Sequence, residues 1–191
     1  MAADEQNDEL LVSLLQLAQD HGIIGPTDLY EEIQRARLFV TGLGAVPAGS
    51  HVLDLGSGGG LPALVIAHDR RDLRLTCIDR REKRTDLLKR QFHRLMLERP
   101  GESTHVVCGD VYGYVPSHHR FDAVTARSFG PPEAVLRATR TQLRPGGLLL
   151  VAEPPTPRIS RWEPLLRDIP GATQQRISDT SGSITVLQGV S

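Results

Sequence analysis

The chain reads as an α/β protein: a mostly parallel, doubly wound sheet, with an N-terminal helical extension and an antiparallel hairpin on the C-terminal edge. Three observations predict this. From residue 51 onward, short apolar runs alternate with helical spacings, a β-α-β rhythm that places helices on both faces of a parallel sheet. A glycine-rich turn, Gly56-Ser57-Gly58-Gly59-Gly60, follows the first apolar run, and the next run ends on a carboxylate, Asp79. The last two runs, near 173–178 and 183–189, succeed one another with no helical segment between them.

Taken in order, Leu10, Leu11, Leu14, Leu15 and Ala18 recur at helical spacing, so a first helix spans 4–20 and stops at Gly22 and Gly25-Pro26. Thr27 or Asp28 caps a second helix, which carries Leu29, Ile33, Ala36 and Val40 and finishes between Gly42 and Gly44. These two helices make up an extension over 1–46, ahead of a main domain over 47–191. The main domain then reads strand 52–55, helix 61–69, strand 73–78, helix 82–98, strand 104–108, strand 121–126, helix 132–142, strand 147–152 and helix 160–168. Gly130-Pro131-Pro132-Glu133 suits a helix start, because proline in the first turn loses no hydrogen bond. Glu153-Pro154-Pro155-Thr156-Pro157 is too short for a linker and reads as a stiff loop.

A length of 191 residues suits one domain with an appendage. No apolar run approaches membrane length. The acidic N-terminus lacks the basic and hydrophobic regions of a secretory signal. Cys77 and Cys108 lack metal or redox spacing, and both are expected as core thiols in a reducing, cytoplasmic setting. No His or carboxylate group has metal-ligand spacing, and His118-His119 is expected in a solvated loop. The net charge of −1 hides a segregation. Residues 1 to 34 hold eight acids and no Lys or Arg, whereas residues 80 to 99 hold eight bases against three acids. Such a basic helix is either an electrostatic footprint for nucleic acid or a solvated face.

In a doubly wound sheet, ligands bind beyond the carboxyl ends of the strands, where the strand order reverses. Every candidate residue lies at such an end. Asp54, Gly56, Ser57, Gly58, Gly60 and Leu61 follow or close the first strand, and Asp79 and Arg80 follow the second. Asp110 and Val111 follow the third strand, and Arg127 the fourth. A glycine loop with a carboxylate on the neighbouring strand suits a nucleoside, the acid accepting from ribose hydroxyls. Asp110 is placed to accept from an adenine amino group with Val111 against the ring, or simply to start a turn. Arg127 reaches either an anionic substrate or a ligand carboxylate.

The glycine pattern fits a dinucleotide loop only when forced from Gly58 through Gly60 to Ala63. Asp54, two residues before Gly56, is similar instead to the first motif of class I methyltransferases, Asp-x-Gly-x-Gly-x-Gly. Their cofactor, S-adenosylmethionine (SAM), carries a sulfonium cation and no phosphate, so an acidic strand end suits it and repels a pyrophosphate. The sets that serve amino-methylation (Asn/Asp-Pro-Pro-Tyr) and cytosine C5 methylation (Pro-Cys) are missing, and no general base stands out. A ring nitrogen with an exposed lone pair, such as guanine N7, needs none.

Leu53-Asp54-Leu55-Gly56-Ser57-Gly58-Gly59-Gly60-Leu61-Pro62, Ile78-Asp79 with Lys83-Arg84, and Thr125-Ala126-Arg127-Ser128-Phe129 together resemble the bacterial small-subunit ribosomal RNA guanine-N7 methyltransferases, the glucose-inhibited division protein B family. The resemblance implies a Rossmann-like fold, SAM bound by Gly56, Gly58, Gly60, Asp79 and Asp110, and Arg127 facing RNA or cofactor as the catalytic residue. It also implies ribosomal RNA or the small ribosomal subunit as partner. The acceptor side departs from the family. Gln34-Arg35-Ala36-Arg37-Leu38 stands where the family has Asn-Leu-Thr and Arg-His segments, and Val151-Ala152-Glu153-Pro154 replaces Leu-Lys-Gly. A glutamate beside an RNA-facing edge opposes phosphate binding. A small-molecule methyltransferase, or a SAM-binding protein without turnover, therefore stands as an alternative.

Overall fold

The computed structural model describes the backbone of residues 2–116, 120–154 and 160–191, and side chains from Asp8 onward. Two helices, α1 (Ala2–Asp20) and α2 (Leu29–Gly42), precede β1 (His51–Leu55), α3 (Ala63–Asp69), β2 (Arg74–Asp79), α4 (Glu82–Glu98) and β3 (Thr104–Cys108). After a single 3-10 turn at Val111–Gly113 come β4 (Phe121–Ala126), α5 (Pro132–Arg140), β5 (Leu143–Ala152), α6 (Glu163–Leu166), β6 (Thr173–Ser178) and β7 (Ser183–Gln188). His118, His119 and Pro155-Thr156-Pro157 of the expected loops lie outside the described residues.

The strands form one sheet in the order β3-β2-β1-β4-β5-β7-β6. β1 to β5 run parallel; β7 is antiparallel to both β5 and β6. The expected hairpin is present, but its second strand, not its first, joins the main sheet. Burial explains the order. β7 brings buried Ile184 and Leu187, whereas every residue of β6 but Ile177 is exposed, so the apolar strand takes the inner position.

Side chains alternate across the sheet. Val52, Leu75, Cys77, Ala123 and Leu150 face α1 to α4, where they meet Leu11, Leu14, Ile33, Phe39, Leu64 and Phe92 in one hydrophobic cluster. Leu53, Leu55, Val124, Leu149 and Val151 face the other way, toward Leu136, Ala138, Trp162 and Leu166. The extension is thus part of the core on its face. Asp28 caps α2, its carboxylate accepting from Tyr30 N and Glu31 N at 2.8 and 3.2 Å. Pro132 opens α5 in the first turn, as expected.

Three expectations need correction. The last helix shrinks to four residues. β5 starts at Leu143, because Leu143 already pairs with Phe121 before a register shift carries the pairing past Gly146 and Gly147. Cys77 is buried but Cys108 is exposed, since β3 is an outer strand of the sheet and has no neighbour to cover it on one side.

Candidate active site

Strand order reverses between β1 and β4, and two adjoining cavities open beyond the carboxyl ends of the strands there. The smaller, about 400 Å³, is lined by Gly56, Asp79, Arg80, Asp110 and Val111 among others. The larger, about 680 Å³, lies over β4 and β5 and includes Arg127. Ser128 and Phe129 line both. Ser128 holds φ at 58°, a left-handed conformation that side chains adopt only at a cost. That turn sets Phe129 against the glycine loop, where a Cβ on Gly56 would come within 3.2 Å of the Phe129 ring.

The glycine loop is tied down from within. Gly56 N and Ser57 N donate to Ile78 O at 2.8 and 3.2 Å, and Gly60 N donates to Ser57 O at 2.8 Å. Gly58 N donates to Asp79 Oδ2 at 3.1 Å. These four amides are already bonded within the protein and are not offered to a pyrophosphate. This speaks against the dinucleotide reading. Of the loop glycines only Gly56 touches the cavity. Gly60, at φ +103°, turns toward the core, where a Cβ would collide with the Leu64 side chain. Leu61 is buried in that core and lines neither cavity.

Asp54 is 1% exposed. Its Oδ1 accepts from Thr125 Oγ1 at 2.7 Å, while Ser57 Oγ donates to the Asp54 carbonyl at 3.0 Å. Oδ2 is buried with no partner. Burial, outweighing the Thr125 bond and the nearby Ser57 hydroxyl and reinforced by the nearby Asp79 charge, raises the carboxyl to about 6. Asp54, like Ser57, lines neither cavity; its unpartnered Oδ2 is a buried acceptor that a cation or a donor reaching it would satisfy. Asp79 is held from three sides: by Gly58 N, by Arg81 N on Oδ1 at 2.9 Å, and by the Arg84 guanidinium at 3.8 Å. Asp110 starts a turn and also borders the site. One oxygen caps the 3-10 turn by accepting from Tyr112 N at 3.0 Å, and the residue also lines the smaller cavity, as does buried Val111.

Arg127 lines the larger cavity and not the smaller. One guanidinium nitrogen pairs with Glu32 of α2, Nη1 is buried without an acceptor, and burial pulls its pKa down. Glu32, itself 4% exposed, also takes Arg35 Nη1 at 2.6 Å. No sequence signal marks Glu32, because its partner is 95 residues away. Glu153 corrects a second expectation. It does not face outward: its side chain is 3% exposed, ion-paired with Arg161 at 2.9 Å, and it accepts from Trp162 Nε1 at 2.6 Å.

Among the described residues no cluster of three or more His, Cys, Asp or Glu side chains could hold a metal ion, and no helix is long and apolar enough to cross a membrane.

Strand order, glycine turn and paired acids at the switch point define the Rossmann-like fold of class I methyltransferases. Within that class, the family model GidB, rRNA small subunit methyltransferase G, matches residues 4–156, and the chain belongs to this family. A ribosomal RNA small subunit methyltransferase G from Laribacter hongkongensis (strain HLHK9) is 38% identical over 107 residues, 55% of this chain and 49% of the relative. The chain spans about half the length of the curated relatives it matches. Among solved structures, the crystal structure of a protein from Klebsiella pneumoniae described as a putative O-methyltransferase superposes with TM-score 0.66 at 16% identity, covering 95% of this chain and 90% of the other. A SAM-dependent methyltransferase from Thiobacillus denitrificans, in complex with S-adenosyl-L-homocysteine, reaches TM-score 0.51 at 26% identity, covering 71% of this chain and 53% of the other.

Proposed function

We propose that the chain is a SAM-dependent methyltransferase. Its acceptor is guanine N7 of small-subunit ribosomal RNA, alkylated by in-line displacement without a general base. The observation that carries the reading is the pairing of a self-satisfied glycine loop with the orphaned Oδ2 of Asp54. A phosphate ligand would want free amides; a cationic one wants a buried carboxylate, and this site has the second.

The residues present fit the cofactor. Asp54 would hold its ammonium group, Asp79 its ribose hydroxyls, and Asp110 with Val111 its adenine. SAM supplies an electrophilic methyl on a sulfonium centre. The rest falls to the chain. Ser128 and Phe129, the wall shared by both cavities, keep water from the junction. Arg127, the residue before Ser128, stands on the acceptor side. A ring-nitrogen acceptor needs positioning more than proton removal, which suits a site where, among the described residues, no histidine lines either cavity. Work on the ribosome would place the protein in the cytoplasm.

The small-molecule alternative drew on the modest net charge, on the departures from the family at 34–38 and 151–154, and on Glu153 as an anion facing RNA. With Glu153 buried and paired to Arg161, the last of these supports no longer holds. The test is transfer of labelled methyl from SAM to deproteinised small-subunit RNA and to the assembled subunit, with the modified base identified by mass spectrometry. Label at guanine N7 is expected. SAM binding without transfer to either RNA would sink the substrate assignment and favour a small-molecule acceptor or a non-catalytic binder.

A further inference from the structure

Three guanidinium groups converge on the larger cavity, and their existing pairs leave donors over. Arg35 of α2 donates Nε to Ser181 O at 2.7 Å, in the β6–β7 turn. Arg176 of β6 donates Nη2 to Ser183 Oγ at 2.7 Å, just past the same turn. Arg35 and Arg127 share one buried carboxylate, Glu32. The more distant Glu31 lies 3.6 Å from Arg35 and is 67% exposed, so solvent screens most of its pull. Arg161, the fourth arginine on the wall, is neutralised by Glu153. Of the two acids on that wall, Asp179 has one oxygen committed to its own turn, accepting from Ser181 N, Ser181 Oγ and Gly182 N. What remains is Arg176, which has no carboxylate partner among the described residues, and the buried, unpartnered Nη1 of Arg127.

We propose that Arg127, Arg35 and Arg176 form a phosphodiester subsite that grips the acceptor strand beside the reacting base. Glu32 presents Arg127 at the inner end. Arg35 and Arg176 stand at the solvent end. Guanidinium forks match phosphate oxygens two at a time, and three forks at graded depth suit a strand passing from solvent toward the junction of the cavities. The inference rests on the RNA reading above. Arg176 lies beyond the residues 4–156 that the family model matches.

The test measures binding to deproteinised small-subunit ribosomal RNA across a salt series for the full chain, Arg176→Gln, Arg35→Gln and Arg176→Lys. Calorimetry with S-adenosylhomocysteine and melting temperature run alongside. Each Gln variant should make the plot of log affinity against log salt shallower by about 0.7. Arg176→Lys, which keeps the charge, should preserve the slope. Melting temperature and S-adenosylhomocysteine affinity should not move in Arg176→Gln, since Arg176 stands on the exposed edge strand β6 and its one side-chain bond among the described residues is to Ser183. That variant decides the matter alone if Arg35→Gln folds poorly. Unchanged slopes in both Gln variants, with a steep slope in the parent, overturn the subsite and leave the RNA reading standing. A fall in S-adenosylhomocysteine affinity assigns the cluster to the cofactor carboxylate and overturns it too. Should the parent bind no RNA, the substrate reading fails first and the subsite with it.

Discussion

Asp54 is the residue on which the cofactor site turns. Its carboxyl titrates near 6 because burial penalises the charged form more than Thr125 and Ser57 reward it. A raised folded-state value means that ionisation destabilises the free protein as pH rises from about 4 through about 6, by on the order of 3 kcal/mol above that window. Asp54→Asn should therefore be more stable than the parent at pH 7.5 and no different near pH 4, read from urea denaturation of the ligand-free forms. The ligand reverses the balance, since a cation favours the ionised carboxylate. SAM affinity of the parent should weaken about tenfold per pH unit below 6, and Asp54→Asn should bind at least tenfold more weakly at pH 7.5, both by calorimetry. A variant that kept full affinity would contradict the role given to Oδ2. The motif made Asp54 legible in the sequence; its missing partner was not, because that depends on which groups reach it across the sheet.

At the scale of elements, α1, α2 and α3 are riveted by one half-buried arginine. Arg37 donates to both oxygens of Asp8 and, through Nε, to Asp69 Oδ2 at 3.0 Å. Asp69 in turn contacts His68 Nδ1 at 2.6 Å. Against the upward push of burial, the bonds from His68 and Arg37 hold the Asp69 carboxyl below its ordinary value. Removing the arginine strands Asp8, which is 3% exposed. Arg37→Ala should lose about 3 kcal/mol in urea denaturation at pH 7, and Asp8→Leu combined with Arg37→Leu should lose less, since no charge is then left unpaired. The helices themselves were plain from their apolar spacing. That Arg37 belongs to this rivet was not, since Asp8 lies 29 residues and Asp69 32 residues away.

For the whole molecule, the extension and the sheet share a core. Leu11, Leu14, Leu15 and Ile33 are fully buried against α3 and its neighbours. Gln91 of α4 reaches both Leu14 O at 2.7 Å and Gly59 O at 3.4 Å, tying α1 to the glycine loop. Exposing those four side chains forfeits about 1.5–3 kcal/mol each, which rivals the entire stability of an ordinary domain. A fragment of residues 47–191 is expected to show no cooperative melting and no S-adenosylhomocysteine binding. A folded, binding-competent fragment would show that the extension is an appendage in energy as well as in sequence. Glu32 makes the same point for the site: the extension supplies the counter-ion of the arginine that β4 delivers to the acceptor cavity.

The linear order of residues settled what depends on near neighbours: strand and helix periods, the caps and glycine turns, the acids on successive β-tips, and hence the class of nucleoside that the pocket suits. Tertiary packing alone decided the rest. Which loop amides stay free, whether Glu153 meets solvent, where β7 inserts and which carboxylate steadies Arg127 all hinge on groups far apart in the chain. Burial and charge pairing are properties of the assembled surface, and no local window contains them.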